Sequence, residues 1–264
     1  MKLVMKLVLA IWFATPVAVS ADAFTDIQER EQIIVGVSIF APWTYSDRQG
    51  ALAGHEIDIA QRIADDLGVE ARFELYNFEE VFDALANGDV DMIAAGVAMT
   101  AERARLFHFS IPYFSTGVTI ATGPSATGDL TGVADFNSPD LTIAVVEDTL
   151  AARVAADQLG DANISSFSTA SGAEGAVMTG RADAYVASVP ELRIFSLRSG
   201  GAVSLPLDEP LISGVAGFVV RQEDERLLHF LNSWVHMREA DGFLEDRHRH
   251  YFDTLDWAVN MVQQ

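Results

Sequence analysis

The sequence contains no cysteine, which excludes a disulfide framework, a thiolate metal site and a lipid-bearing cysteine behind a leader. Lysine is almost as scarce. Lys2 and Lys6 stand at the N-terminus and none follows, so every later cation other than histidine is arginine. That excludes Schiff-base and P-loop chemistry, both of which need a lysine amine. Glycine-rich phosphate loops, GxSxG elbows and HExxH pairs are also missing. Beyond the first residues no apolar run approaches the roughly 20 residues that a membrane helix requires. Positive charge as a whole is short: 17 Lys+Arg face 38 Asp+Glu, for a net charge of −21. So acidic a chain repels nucleic acid and anionic lipid, and any anionic ligand must be drawn in by individually placed arginines.

What is present begins with a leader. Lys2 and Lys6 flank the apolar LVLAIWFA, which runs through Pro16 to the small residues around Ala21 and Ala23. This is the layout of a secretory signal peptide, residues 1–21, cleaved after Ala21 or, alternatively, Ala23. A soluble, periplasmic protein in a bacterium with an outer membrane is expected.

From Ile33 onward strand and helix patterns alternate. IIVGVSI reads as a strand; HEIDIAQRIADDLG places Ile57, Ala60, Ile63, Ala64 and Leu67 on one helical face, with Gly68 as the stop. A strand over Val69–Leu75 follows, then a helix that Asn77 and Glu80 would open as a capping pair. A second series starts near Leu141: LTIAVV, a helix from Thr149, a strand around ISSF, a helix from Ser171, the strand DAYVAS, and a helix begun by Ser188 and Pro190. ALANGDVDMIAAG (84–96) and AVMTGRADAYVAS (176–188) repeat one another, which makes Gly96 and Ser188 equivalent strand ends. These patterns predict a two-lobed α/β fold with two crossover hinge strands, around 113–122 and 212–220. Lobe 1 spans 24–114 and 215–264, and lobe 2 spans 115–214. The tail carries Leu227, Leu231, Trp234 and Val235 on one helical face and should pack back on lobe 1. In open α/β sheets ligands sit outside the carboxyl ends of the strands, here facing each other across a cleft.

The segment GVAMTAERARLFHFSIPY (96–113) carries the main chemical signal. Thr100 can cap a short helix with Arg103 in its first turn. A cation there opposes the helix dipole, so local stability is a poor reason for it and an anion to hold is a better one.

Pro42-Trp43, GHEIDI (54–59), Phe78 in NFEEVFDAL, GDVD (88–91), Gly96 to Arg103, FSIPY (109–113) and GRAD (180–183) together resemble the periplasmic solute-binding proteins of polar amino acid ABC transporters. The resemblance covers nearly the whole chain after the leader. It implies the type II periplasmic-binding-protein fold, a hinge-closing clamp. It also implies that Arg103 holds a ligand carboxylate by paired charge-assisted hydrogen bonds, with backbone amides near Gly96 and Ala98 completing the pocket. Phe40, Trp43 and Phe78 match positions that enclose the ligand, Thr149 matches a hydroxyl that closes on the carboxylate, and Ser188 lies where an aspartate usually meets the α-ammonium. Ser188 and Ala98 depart from the family pattern. Glu147 or Asp148 are candidates for the missing charge, equally readable as solvated acids near a helix N-terminus. The implied partners are a small carboxylate or amino acid ligand and an ABC permease in the inner membrane; a monomer without cofactor is expected.

Two alternatives accompany this reading. Cyclohexadienyl dehydratases share the fold and motifs, and their chemistry needs an acid in the cleft. Glu191 is available, although its place in the first turn after Ser188 reads more readily as an exposed helix residue. The other alternative is an accessory or sensory binding protein that delivers its ligand elsewhere. Paired histidines such as His248 and His250 diverge on a helix, and no metal site is expected.

Overall fold

The computed structural model describes residues 23–126, 130–147 and 149–261; the expected leader lies outside them. Ala23, the alternative cleavage point, is buried at the start of α1 (Ala23–Arg30), and its amide donates to Asp224 Oδ1 at 3.0 Å. The first lobe continues through β1 (Gln32–Val37), the hairpin β2 (Tyr45–Ser46) and β3 (Leu52–Ala53), α2 (His55–Leu67), β4 (Glu70–Leu75), α3 (Glu80–Asn87), β5 (Met92–Ile93), α4 (Ala101–Ala104) and β6 (His108–Phe109). The long strand β7 (Phe114–Thr122) then carries the chain into the second lobe. That lobe holds α5 (Val133–Phe136), β8 (Thr142–Val146), α6 (Leu150–Gln158), β9 (Asn163–Phe167), α7 (Ala170–Met178), β10 (Ala184–Ser188), α8 (Val189–Arg198) and β11 (Ile212–Ala216). The chain returns through β12 (Val219–Val220), α9 (Glu225–Ala240) and α10 (Phe243–Phe252), and a 3-10 turn at Asp256–Asn260 follows.

There are two main sheets, of order β4-β1-β5-β12-β6 and β11-β7-β10-β8-β9. In each, three neighbouring strands pair in parallel as βαβ crossovers demand, β4-β1-β5 in the first and β10-β8-β9 in the second, and every pairing made by β12 or β7 is antiparallel. β7 and β11 pair with each other over Phe114–Val118 and Ile212–Ala216, forming a two-stranded bridge at the edge of the second sheet. The lobe 1 segment Val97–Met99 is stitched to this bridge. The Met99 amide donates to the Val215 carbonyl at 2.9 Å, and the Gly217 amide to the Val97 carbonyl at 3.3 Å.

The helices form for the reasons their sequences suggest. α2 buries Ile57, Ala60, Ile63 and Ala64, and Gly68 ends it in the left-handed region at φ 73°, where a side chain would be strained. α9 buries Leu227, Leu231, Trp234 and Val235 against lobe 1. Two starts differ from expectation. α3 begins at Glu80, because residues 78 and 79 form a turn. Asn77 Nδ2 donates to Glu80 Oε2 at 3.0 Å instead of its oxygen accepting a helix amide. α7 begins at Ala170, since Thr169 Oγ1 accepts the Gly172 amide at 3.2 Å and caps one residue earlier.

Lobe 1 is built on aromatics: Trp43, Phe114, Phe218, Trp234, Phe252 and Trp257 share one core. Within it His55, Glu56 and Tyr113 form a buried polar chain. Glu56 Oε1 lies 3.0 Å from His55 Nδ1, and Tyr113 donates to Oε2 at 2.8 Å. Burial, reinforced by that carboxylate, holds the Tyr113 phenol well above its usual range. Lobe 2 packs mainly alanine and valine between its sheet and helices, with Phe136 and Tyr185 as larger pieces.

Candidate functional site

A cavity of about 630 Å³ opens between the lobes. Phe40 and the Ala98–Thr100 segment form its lobe 1 side; Val146, Thr149, Tyr185, Ser188 and Glu191 form its lobe 2 side. The crossing strands, through Thr116, Gly117, Ile212 and Gly214, make its base. Four residues singled out from sequence, Phe40, Ala98, Thr149 and Ser188, therefore meet at one cleft. A lobe 1 groove adjoins it through Phe40 and carries Phe78 and Asn77.

Arg103 sits in α4, a single turn that Thr100 opens by accepting the Arg103 amide on its Oγ1 at 3.2 Å. The guanidinium lies over two rings, 5.2 Å from the Phe78 centroid and 5.1 Å from that of Phe82. It donates once, from Nη1 to the Ala98 carbonyl at 3.2 Å. Among the described residues no carboxylate comes within ion-pairing distance, neither Glu102 nor Glu80 included. A guanidinium carries five N–H donors, so most of its hydrogen-bonding capacity is uncommitted among the described residues. Aromatic faces keep it oriented without neutralising it.

Gly96 and Trp43 support this wall from behind. Gly96 has φ 59°, and a Cβ there would stand 3.0 Å from the Trp43 ring. Trp43 itself is 5% exposed and packs edge-on against His55, Phe114 and Phe252. Neither residue lines the main cavity. Phe40, at 53% exposed, is the aromatic that lobe 1 presents to it.

On the lobe 2 wall the hydroxyls are committed to helix starts. Thr149 Oγ1 donates to the Val146 carbonyl at 2.7 Å and accepts the Ala152 amide at 3.1 Å. Ser188 Oγ accepts the Glu191 amide at 3.4 Å. Of the two acids suggested as substitutes for the absent aspartate, Glu147 is exposed and Asp148 lies outside the described residues.

The acid that does face the cleft is Glu191, and here the structure corrects the sequence reading. Instead of pointing into solvent from the first turn of α8, Glu191 lines the cavity and receives a short hydrogen bond from the Tyr185 hydroxyl. Burial raises its pKa; the Tyr185 bond pulls the other way, and the nearby negative charge of Glu174 adds to the rise. Glu174 is likewise raised by burial, against the pull of Arg198, whose Nη2 lies 2.5 Å from its Oε1. Both glutamates open onto a side cavity of about 240 Å³, roofed by Phe40, Trp43, Leu255 and Trp257. A signal was available: Tyr185 lies in the apolar strand AYVAS, and a buried phenol needs a polar partner close by.

The model of the bacterial extracellular solute-binding proteins, family 3, matches residues 33–254. Cyclohexadienyl dehydratase of Pseudomonas aeruginosa is 23% identical over 214 residues, which are 81% of this chain and 80% of that protein. Among solved structures, an ancestral cationic amino acid solute binding protein superposes with a TM-score of 0.79 at 30% identity, covering 87% of this chain and 99% of its own. A variant of arginine-bound ArgBP from T. maritima does so with a TM-score of 0.63 at 27% identity, covering 81% and 99%. Two βαβ lobes, paired crossing strands, a cleft between them and a match over most of the length lead to one assignment: the chain belongs to the bacterial extracellular solute-binding proteins, family 3.

Proposed function

We propose that the protein captures a small carboxylate-bearing solute, an amino acid or a close relative, between its lobes in the bacterial periplasm and delivers it, as a monomer, to an ABC permease in the inner membrane. The observation that carries this reading is Arg103, a guanidinium held directly behind the cleft-lining Ala98–Thr100 segment by two phenyl rings and the Ala98 carbonyl, with no carboxylate partner among the described residues. A ligand carboxylate would complete it as a planar, charge-assisted pair. The family's hinge-closing habit supplies the motion: β7 and β11 join the lobes through a short bridge, so the ligand can hold them together by touching both walls. Phe40 and Phe78 would flank the ligand, Thr149 and Ser188 would meet it from lobe 2, and the backbone near Gly96 and Ala98 would border its carboxylate. Trp43 would serve as the support beneath Gly96. The leader-like N-terminus supports the compartment. The names of related proteins support the ligand class, since two of the structural relatives bind amino acids.

Arg103→Ala should weaken binding of a carboxylate ligand by about 2 to 5 kcal/mol, the usual result of deleting one partner of a buried charged pair. Calorimetry that returns an unchanged affinity would refute the assignment.

Glu191 gives a second reading some support, because a carboxyl with a raised pKa in the cleft is what protonation of a leaving hydroxyl requires. A dehydratase activity would appear as phenylpyruvate absorbance on incubation with prephenate. No absorbance change is expected of a pure binding protein.

A further inference from the structure

The cleft is electrically asymmetric. Its lobe 1 side contributes Phe40 and Ala98–Thr100, with the Arg103 guanidinium in the turn behind them. Its lobe 2 side contributes Glu191, with Glu174 beside it in the connected cavity. A solute that satisfies both sides is dipolar, with a carboxylate at one end and a positive charge at the other.

Glu191 differs from an ordinary surface acid in what surrounds it. The Tyr185 hydroxyl from β10 donates to its carboxyl, and the Ser188 hydroxyl accepts its amide. From α7 it faces Glu174, a like charge, and from its own helix Arg198, which is already bonded to Glu174. Across the cavities, the residues that line the lobe 1 and C-terminal sides are uncharged, among them Phe40, Trp43, Leu255 and Trp257, and the Arg103 guanidinium stands behind them. The carboxyl thus has Tyr185 as its main donor and Ser188 as a weaker one, shares the Arg198 cation with Glu174, and is buried beside that acidic neighbour, with burial the dominant influence. In the empty cleft those conditions favour its neutral form. A cation placed in the cleft reverses the balance, since an opposite charge within reach favours ionisation.

We infer that Glu191 is the group that reads a cationic nitrogen on the bound solute, in place of the charge that Ser188 does not provide, and that capture of this cation drives a proton from the Glu191 carboxyl into solution. The inference rests on Arg103 taking the solute's carboxylate, which fixes the cation toward lobe 2. Affinity then rises with pH until Glu191 is ionised before the ligand arrives, and the number of protons released falls to zero above that point. The nitrogen can be an α-ammonium or a side-chain cation that reaches the Glu174–Glu191 cavity.

Four probes separate the sources: L-arginine, which carries both cations; L-citrulline, with the ammonium alone; 5-guanidinopentanoate, with the guanidinium alone; and 2-oxopentanoate, with neither. Calorimetry in two buffers of different ionisation enthalpy, from about pH 5 to 8, counts the protons. The expected result is that a cationic probe binds about tenfold or more tightly than 2-oxopentanoate and releases a proton in the acidic range. Glu191→Gln, which keeps the shape, should lose about tenfold in affinity for that probe together with the release. Tyr185→Phe removes the donor that holds the pKa of Glu191 down, so it should move the release to higher pH, a shift that a purely structural role would not produce. The inference is overturned if 2-oxopentanoate binds as tightly as the cationic probes, if none of the cationic probes binds, if no proton is released anywhere in the range, or if Glu191→Gln binds as wild type. Arg103→Ala on the same probes tests the carboxylate contact separately. If it binds as wild type while Glu191→Gln is impaired, the carboxylate reading fails and the cation reading stands.

Discussion

Behind the lobe 1 wall the charged group is a guanidinium lying on two phenyl rings, whereas on the lobe 2 wall it is a carboxyl screened from water with a phenol as its donor. Arginine cannot give up its charge at any ordinary pH, and aromatic faces orient it at little cost. A buried glutamic acid can become neutral, and burial pushes Glu191 in that direction. One wall is therefore fixed and the other adjustable. The cores behind the walls differ in the same sense. Trp43, Trp234 and Phe252 anchor lobe 1 in a broad aromatic cluster, while lobe 2 relies on small residues such as Ala173, Ala176 and Val186.

Truncation of the two cores is the strongest way to challenge this contrast. Trp234→Ala removes a fully buried indole and should cost about 3 to 5 kcal/mol in urea unfolding. Val186→Ala, equally buried, should cost only about 2 kcal/mol. Equal losses would mean that the aromatic cluster carries no special share of the stability. The walls can be separated by pH. The Arg103→Ala binding loss should be independent of pH, whereas the loss in Glu191→Gln should grow as pH rises and the wild-type carboxyl ionises. Stability without ligand should show the opposite sign. A carboxyl whose pKa is raised on folding favours the folded state most at low pH, and that contribution disappears as pH rises through the folded pKa. Wild type should thus lose stability relative to Glu191→Gln as pH increases from acid, measured by thermal unfolding across a pH series. A smaller effect is expected at Thr149. Its hydroxyl caps α6, so Thr149→Ala should destabilise by about 1 kcal/mol whatever its part in binding. The smallest belongs to the tie between the lobes. Arg193 Nη1 lies 3.0 Å from Asp253 Oδ1, with both side chains nearly half exposed, and Arg193→Ala should change stability by about 0 to 1 kcal/mol.

Much of the framework is readable from local pattern. The apolar faces of α2 and α9, the stop at Gly68, and the starts of α6 and α8 at Thr149 and Ser188 follow from side-chain spacing and hydrogen-bonding capacity alone. The paired repeats ending at Gly96 and Ser188 lead in the same way to two sheets. The site is less transparent because its features are tertiary. An acid in the first turn of a helix ordinarily meets water, and nothing local to SVPEL indicates that α7 and the segment Leu255–Met261 enclose Glu191. Trp43 shows the complementary limit. An aromatic after the first strand can be wall or core, and only the packing of His55, Phe114 and Phe252 around it decides for core. The capping of α3 turns on a similar detail, since two residues of turn separate Asn77 from the helix it would otherwise cap.

The central claim, that a solute carboxylate at Arg103 is what the cleft captures, is tested most directly by thermal shift with amino acids paired against their decarboxylated amines, such as arginine with agmatine and lysine with cadaverine. At 100 times its dissociation constant a ligand stabilises the folded protein by about 2.7 kcal/mol, a shift that is readily seen. A carboxylate-bearing member should raise the melting temperature, its amine counterpart should not, and Arg103→Ala should abolish the difference. An amine that stabilises as strongly as its parent amino acid would contradict the claim.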